Sequence, residues 1–356
     1  MSETVYINGR FLTHRMAGIP RFGYEMCMAL HRLNFPFTVV VPGDAVLSQD
    51  LPFDIVFHGK FRSHLWEQLD LPRFLRSHAY PLLISFSGLG PVCYRNHIST
   101  IHDVAFMRHP EWFSSSYNLI YKSLTPVLAR QAKKILTVSN FSKREIEDCL
   151  HIGGDKIAVI YNALSSSIHC SETLSHKDED DSIAGERYML AVSSHDPRKN
   201  FLRIIQAFKL LRRSDLKLYI IGDMPKVFRR ENLNADIDSN IRILGHVEDK
   251  VLSRYYRHAD LFVYPSLYEG FGIPPLEAMA HECPVLLSDI PSLREIYGDS
   301  AVYCDPYDIN SIAVGMERLL SDVALRENLL KQGREVQTRY SWEASAAKLV
   351  SVLNEY

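Results

Sequence analysis

The chain has 356 residues, 46% hydrophobic and 23% charged, with 40 basic against 42 acidic side chains. That balance excludes a disordered or low-complexity protein and gives no whole-molecule attraction to nucleic acid. A length beyond about 250–300 residues predicts two domains rather than one core. The six cysteines (27, 93, 149, 170, 283 and 304) form no Cys-x-x-Cys pair, so six reduced thiols in a cytosolic protein are expected. The opening MSETVYINGRF lacks a signal-peptide pattern, and no apolar run approaches the ~20 residues of a membrane span. The protein is therefore not expected to be integral to a membrane, although it is able to lie against one.

In chain order, short β-branched runs alternate with longer amphipathic stretches, the pattern of βαβ units around a parallel sheet. Strands are predicted at Thr4–Ile7, Thr38–Val41, Asp54–His58, Leu82–Phe86, Ser99–His102, Lys134–Val138 and Ala158–Tyr161. Tyr24–Leu33 reads as a helix, as does Ser116–Lys133, whose Tyr117, Ile120, Tyr121, Leu124, Val127 and Leu128 form a stripe with Pro126 inside it. A proline there predicts a kink or break. Residues 166–186, polar and acidic, cannot bury much and read as a linker. The strand series then restarts at Tyr188–Val192, Leu216–Ile221, Ile241–Leu244, Leu261–Tyr264, Val285–Ser288 and Ala301–Cys304, with helical stretches at Phe201–Arg213, Val251–Arg257 and Pro275–Ala280. The fold class is α/β: residues 1–165 form one Rossmann-like domain, 187–340 a second, and 341–356 a C-terminal helix packing back on the first.

Doubly wound domains bind ligands outside the carboxyl ends of their strands. Leu261–Tyr264 is followed by Pro265-Ser266-Leu267-Tyr268-Glu269-Gly270-Phe271-Gly272 and then by a proline-started helix. Glycines admit close backbone approach, and a helix N-terminus adds partial positive charge, so this junction suits a diphosphate. Glu269 and Glu277 flank it, and carboxylates there are suited to accepting hydrogen bonds from sugar hydroxyls.

The block EGFGIPPLEAMA, preceded by ADLFVYPSLY and followed by CPVLLSD, resembles the signature of glycosyltransferase family 4. The resemblance continues through GIPRFGYE (18–25), TIHDVAFMRHPEWF (100–113), LTVSNFSKREI (136–146), VIYNAL (159–164), DPRKNF (196–201), ILGHVED (243–249), EIYGDSAVYCDP (295–306) and YSWEASAAKLVSVL (340–353). It implies the GT-B fold, two facing Rossmann-like domains with a cleft between them. It also implies a retaining hexosyltransferase using a nucleoside-diphosphate sugar.

Carried onto this chain, the resemblance makes Lys199 the lysine on the donor diphosphate. Glu269 falls to the transferred sugar and Glu277 to the ribose, with the backbone of Gly270, Phe271 and Gly272 on the phosphates. Gly245 lies where backbone groups hold the base, and Gly18 near the phosphates. His102 contacts the sugar near its reacting carbon, while Arg21 and Asp103 stand on the acceptor side. Ser139, Asn162 and Glu295 also match family positions. Relatives often carry an arginine about five residues before the lysine, where this chain has Ser193-Ser194; Arg198 is the candidate replacement. Arg10, Arg15 and Arg21 around the Gly18 loop favour an anionic acceptor, and read equally well as scattered surface arginines. The only Asp-rich run, Asp178-Glu179-Asp180-Asp181, lies in the polar segment, so a metal-independent site is expected.

The pattern is similar to bacterial transferases that build O-antigen or capsule, with GDP-mannose as the donor. The acceptor is then a glycan or lipid-linked glycan, and the enzyme is cytoplasmic, in peripheral contact with the inner membrane. Phe61-Arg62-Ser63-His64-Leu65-Trp66 is a candidate basic–aromatic contact, equally readable as a half-buried helix. Two other readings use the same architecture: a nucleotide-sugar epimerase or sugar phosphorylase, and a catalytically inactive binding partner.

Overall fold

The computed structural model describes residues 4–47, 50–169, 185–192, 196–222 and 239–356. The chain divides into two compact units, one of Met1–Asn162 with Ser341–Tyr356, the other of Ala163–Tyr340. Ser193-Ser194, the Asp-rich run and Cys170 lie outside the described residues. Cys27, Cys93, Cys149, Cys283 and Cys304 are free thiols.

The first unit holds a seven-stranded sheet of β1 (Val5–Asn8), β2 (Phe37–Pro42), β3 (Asp54–His58), β4 (Leu83–Ser85), β5 (His97–Thr100), β6 (Lys134–Thr137) and β7 (Ile157–Val159). Their order is β3-β2-β1-β4-β5-β6-β7, with every pairing parallel. The second unit holds β8 (Tyr188–Val192), β9 (Lys217–Ile221), β10 (Ile241–Gly245), β11 (Leu261–Tyr264), β12 (Val285–Ser288) and β13 (Val302–Cys304) in the order β10-β9-β8-β11-β12-β13, again parallel. The 3-2-1-4-5-6 sequence of a dinucleotide-binding fold thus appears in both units, extended by one strand in the first. The inner strands of both sheets are largely buried because helices cover both faces, whereas the edge strands β3 and β10 are mostly half-exposed. Met189, Leu218, Val263 and Leu286 pack with Phe208, Ile312 and Met316 in the second core.

In this order the chain reverses direction across the sheet beside the first strand of each unit. The loops that leave β8 and β11 therefore start side by side at the carboxyl edge, and so do those that leave β1 and β4. Such switch points open the crevices in which ligands of parallel sheets bind.

Several boundaries differ from the sequence reading. The first long helix begins at Ile19, capped by Gly18, because Pro20 is favoured in a first turn whose N–H groups lack partners. Arg21 is thus a helical residue and donates to the Met16 carbonyl at 3.0 Å. The helix over Ser115–Gln131 is continuous and contains Pro126, so the expected break does not occur there. Its stripe is only partly inward: Ile120 and Val127 are exposed, whereas Tyr117 and Tyr121 stack on each other at 4.0 Å. The polar segment is not wholly irregular, since Ser166–His169 forms a helical turn. The helix Trp342–Leu353 packs within the first unit, Trp342 edge-on to Phe22 at 5.7 Å and Ser345 donating to the Tyr161 carbonyl at 2.7 Å.

Candidate active site

The site in the second unit is built at the switch point between β8 and β11. After β8, Asp196 caps a single 3-10 turn, Pro197–Lys199, by accepting from the Arg198 amide at 3.1 Å. Asn200 follows in the left-handed conformation (φ 63°) and ties the turn down, its Nδ2 donating to the carbonyls of Pro265 (2.9 Å) and Pro306 (2.7 Å). The Leu267 amide donates to the Arg198 carbonyl at 2.7 Å, which joins the β8 loop to the loop after β11.

These ties bring Lys199 onto Glu269. The Lys199 ammonium donates to Glu269 Oε1 at 2.5 Å and to the Tyr264 hydroxyl at 2.8 Å, and that hydroxyl donates to the same Oε1 at 2.6 Å. Burial drives the Lys199 pKa below its usual value, against the pull of Glu269. Burial also opposes ionisation of Glu269, but Lys199 and Arg198 outweigh it and hold the carboxyl below the ordinary carboxylate value. Arg198 is paired with Asp196 at 2.6 Å. Both motif glutamates are buried, as carboxylates are only when they have partners.

The loop Glu269–Gly272 then enters the helix Ile273–Ala280, with Gly272 at its N-cap in the left-handed region (φ 83°) and proline in its first turn. The Phe271 ring is buried edge-on to Tyr340 at 5.4 Å. The Tyr297 hydroxyl donates to the Gly272 carbonyl. Glu277 accepts from the Tyr256 hydroxyl at 3.0 Å through Oε2. Gly245 ends β10 at φ 66°, with open space where a side chain would be.

Lys199, Arg198 and Glu269 are thus assembled at one point, and Glu277 lies on the helix that leaves the glycine loop. Sequence reasoning missed Tyr264, Tyr256 and Tyr297, three phenols that each grip one part of this loop and helix. The only sequence signal was a tyrosine rather than an aliphatic at the end of a buried strand, which Tyr264 shows.

In the first unit, His102 lies just past β5. Its Nε2 must carry the proton, because it faces the Phe86 carbonyl at 2.9 Å. Burial lowers its pKa, with the Phe86 carbonyl and Asp103 opposing, so the ring is neutral at neutral pH. Phe22 stands edge-on to it at 5.0 Å. Asp103 Oδ1 accepts from the Ala105 amide at 3.0 Å, at the entry to a short helical turn. Gly18 precedes the helix that carries Arg21 and Phe22, with open space at its Cα. Arg10 does not join Arg15 and Arg21 in a cationic patch. It is buried and ion-paired with Glu67 Oε2 at 2.5 Å, while Asn8 donates to the other carboxylate oxygen at 2.9 Å. Trp66 is fully buried, its Nε1 donating to the His58 carbonyl at 2.7 Å, so in the 61–66 segment it belongs to the core; Phe61 stays exposed.

Among the described residues no three His, Cys, Asp or Glu side chains gather as a metal site, and no helix is long and apolar enough to cross a membrane.

Two family models match: one described as glycosyl transferases group 1 over residues 175–336, the other as glycosyltransferase family 4 over residues 16–167. The O-antigen chain mannosyltransferase B of Escherichia coli is 32% identical over 280 residues, 74% of this chain and 72% of that protein. The O-antigen chain mannosyltransferase RfbU of Salmonella typhimurium is 31% identical over 65% of each chain. Sucrose-phosphate synthase from Thermosynechococcus elongatus superposes with a TM-score of 0.75 at 18% identity, over 99% of this chain and 98% of that one. With two Rossmann-like units, both family models and these mannosyltransferase relatives, the chain belongs to glycosyltransferase family 4 and is a glycosyltransferase of the GT-B fold.

Proposed function

We propose that this enzyme transfers mannose from GDP-mannose, with retention of configuration, to a glycan or lipid-linked glycan during assembly of a bacterial surface polysaccharide. The observation that carries the reading is the Lys199–Glu269–Tyr264 triangle at the second unit's switch point, beside a glycine loop and a helix N-terminus. The O-antigen mannosyltransferases to which the chain is similar favour mannose and that class of acceptor.

In this reading the diphosphate rests on the Gly270, Phe271 and Gly272 amides, with Lys199 and Arg198 as cations. Glu277 accepts from the ribose and Glu269 from the transferred sugar, and Gly245 lies by the base. As the glycosidic bond breaks, charge passes to the leaving diphosphate, where a buried ammonium acts more strongly than one in water. That charge stabilisation needs no metal, so activity should survive EDTA. His102, Asp103, Arg21 and Gly18 serve the sugar and the acceptor. A lipid-linked acceptor would bring the protein to the cytoplasmic membrane face, and the exposed Phe61 and Leu65 beside Arg62 suit such a contact.

A thermal-shift series with GDP, UDP and ADP, followed by acceptor-dependent release of GDP from GDP-mannose, tests the reading. Stabilisation by GDP and release that requires acceptor are expected. A shift with UDP alone overturns the donor, and donor isomerised without acceptor overturns transfer itself.

A further inference from the structure

We propose that Tyr264 and Tyr256 are positioning residues for the donor site, each acting through one motif glutamate: Tyr264 through Glu269 and Tyr256 through Glu277. The inference rests on the donor reading above and extends it to two side chains outside the glycine loop and its helix.

Both phenols are deeply buried, Tyr264 at 3% and Tyr256 at 0% exposure. Phenylalanine would fill nearly the same space, and a buried hydroxyl stabilises only if it finds a partner. Each hydroxyl finds a carboxylate. Tyr264, the last residue of β11, donates to Glu269 Oε1 at 2.6 Å; Tyr256, near the end of the helix Asp249–His258, donates to Glu277 Oε2 at 3.0 Å. The two tyrosines come from different elements, so neither bond is a by-product of the other.

In both pairs one carboxylate oxygen is pinned from the protein side. Pinning one oxygen fixes the plane of the group and aims the second. Oε1 of Glu269 receives Lys199 as well as Tyr264, and the Lys199 ammonium also lies 5.1 Å from the Tyr264 ring centroid. Tyr264 thereby holds the lysine and the carboxylate in one geometry. Tyr256 is itself held: it stacks on His281 at 5.6 Å, and His281 Nδ1 lies 2.8 Å from the Glu277 carbonyl, so both ends of Glu277 are tied to the same aromatic pair. Charge-assisted bonds out of water are strong enough to hold such an arrangement.

The test uses the full chain and whichever of GDP, UDP or ADP raises the wild-type Tm, with its mannose or glucose conjugate. Calorimetry gives the affinity for the nucleotide, and nucleotide release from the conjugate gives turnover. Tyr256→Phe should weaken nucleotide binding about tenfold in the wild type and less than about twofold in a Glu277→Gln background. Tyr264→Phe should slow release about tenfold in the wild type and less than about twofold in a Glu269→Gln background. Equal losses in the Gln backgrounds, or no loss in the wild type with near-UV circular dichroism unchanged, overturn the proposal. If Glu277→Gln and Glu269→Gln themselves bind and turn over like the wild type, or no nucleotide shifts the Tm, the donor reading fails and the proposal with it.

Discussion

Lys199 Nζ and Glu269 Oε1 are 2.5 Å apart although 70 residues separate them in the chain, and their side chains are only 9% and 7% exposed. Two opposite charges this deeply buried are stable only as a pair, since either alone would keep the full desolvation cost. Their carriers leave neighbouring strands, β8 and β11, so the pair is a direct consequence of the sheet order.

Lys199→Met should therefore have two separable effects. Stability falls by about 3–5 kcal/mol, because Glu269 is left buried without its cation. The double variant Lys199→Met with Glu269→Gln should recover much of that loss in urea unfolding. Turnover should not recover: a lost charge on the leaving diphosphate costs about 3 kcal/mol, roughly a hundredfold. A double variant with activity restored along with stability would remove Lys199 from catalysis.

His97 makes the first unit acid-sensitive. It is completely buried, its Nε2 lies 2.9 Å from Ser85 Oγ, and burial depresses its pKa from 6.5 to about 3. The folded state thus excludes a proton that the unfolded chain takes up near pH 6.5. Stability contributed by the neutral ring is complete above that pH, falls as pH drops from about 6.5 towards 3, and levels off below. The expected loss between pH 7 and 5 is on the order of 1–2 kcal/mol, read by urea midpoints. In His97→Asn the slope over that window should flatten, and an unchanged slope would assign the sensitivity elsewhere.

Gly272 and Gly245 both have positive φ, yet their alanine variants should differ. At Gly272 (φ 83°) an added Cβ would stand 2.8 Å from Leu293 Cδ2, whereas at Gly245 (φ 66°) nothing lies within 4 Å. Both substitutions incur the backbone strain of about 1–2 kcal/mol, but only Gly272→Ala adds overpacking of about 1–3 kcal/mol. Thermal unfolding of the two proteins should show the larger fall in Tm for Gly272→Ala.

Asn200→Ala should loosen the Lys199 turn. Its buried amide satisfies the Pro265 and Pro306 carbonyls, and its left-handed backbone is one that asparagine tolerates better than alanine. A loss of about 2–3 kcal/mol is expected from the orphaned carbonyls and the strain. Faster hydrogen exchange should appear in 196–203 and in the loop after β11. Exchange confined to 196–203 would mean that the Leu267–Arg198 bond and the Lys199 contacts hold the two loops together without Asn200.

Much of the protein was legible from residues in a row. The alternation of β-branched runs with amphipathic stretches depends on local periodicity, so the two α/β halves could be read directly, with ends shifted by one to a few residues where capping decides. Pro126 shows the limit of local rules: a proline removes one hydrogen bond, and the 17-residue helix Ser115–Gln131 runs on through it. The Glu269–Glu277 block was legible because glycines and a first-turn proline signal a strand–loop–helix junction.

What only the tertiary structure decided is which distant groups face each other. Strand order, and with it the meeting of Lys199 with Glu269, depends on how whole strands pair and is not encoded in any short window. The same holds for Arg10, an apparent surface cation that Glu67 neutralises in the interior, and for Tyr264 and Tyr256, whose hydroxyls become significant only once burial leaves each a single carboxylate to bind. Local sequence specifies backbone conformation because those forces act within a few residues; electrostatic partnership depends on distance and burial, which exist only in the folded chain.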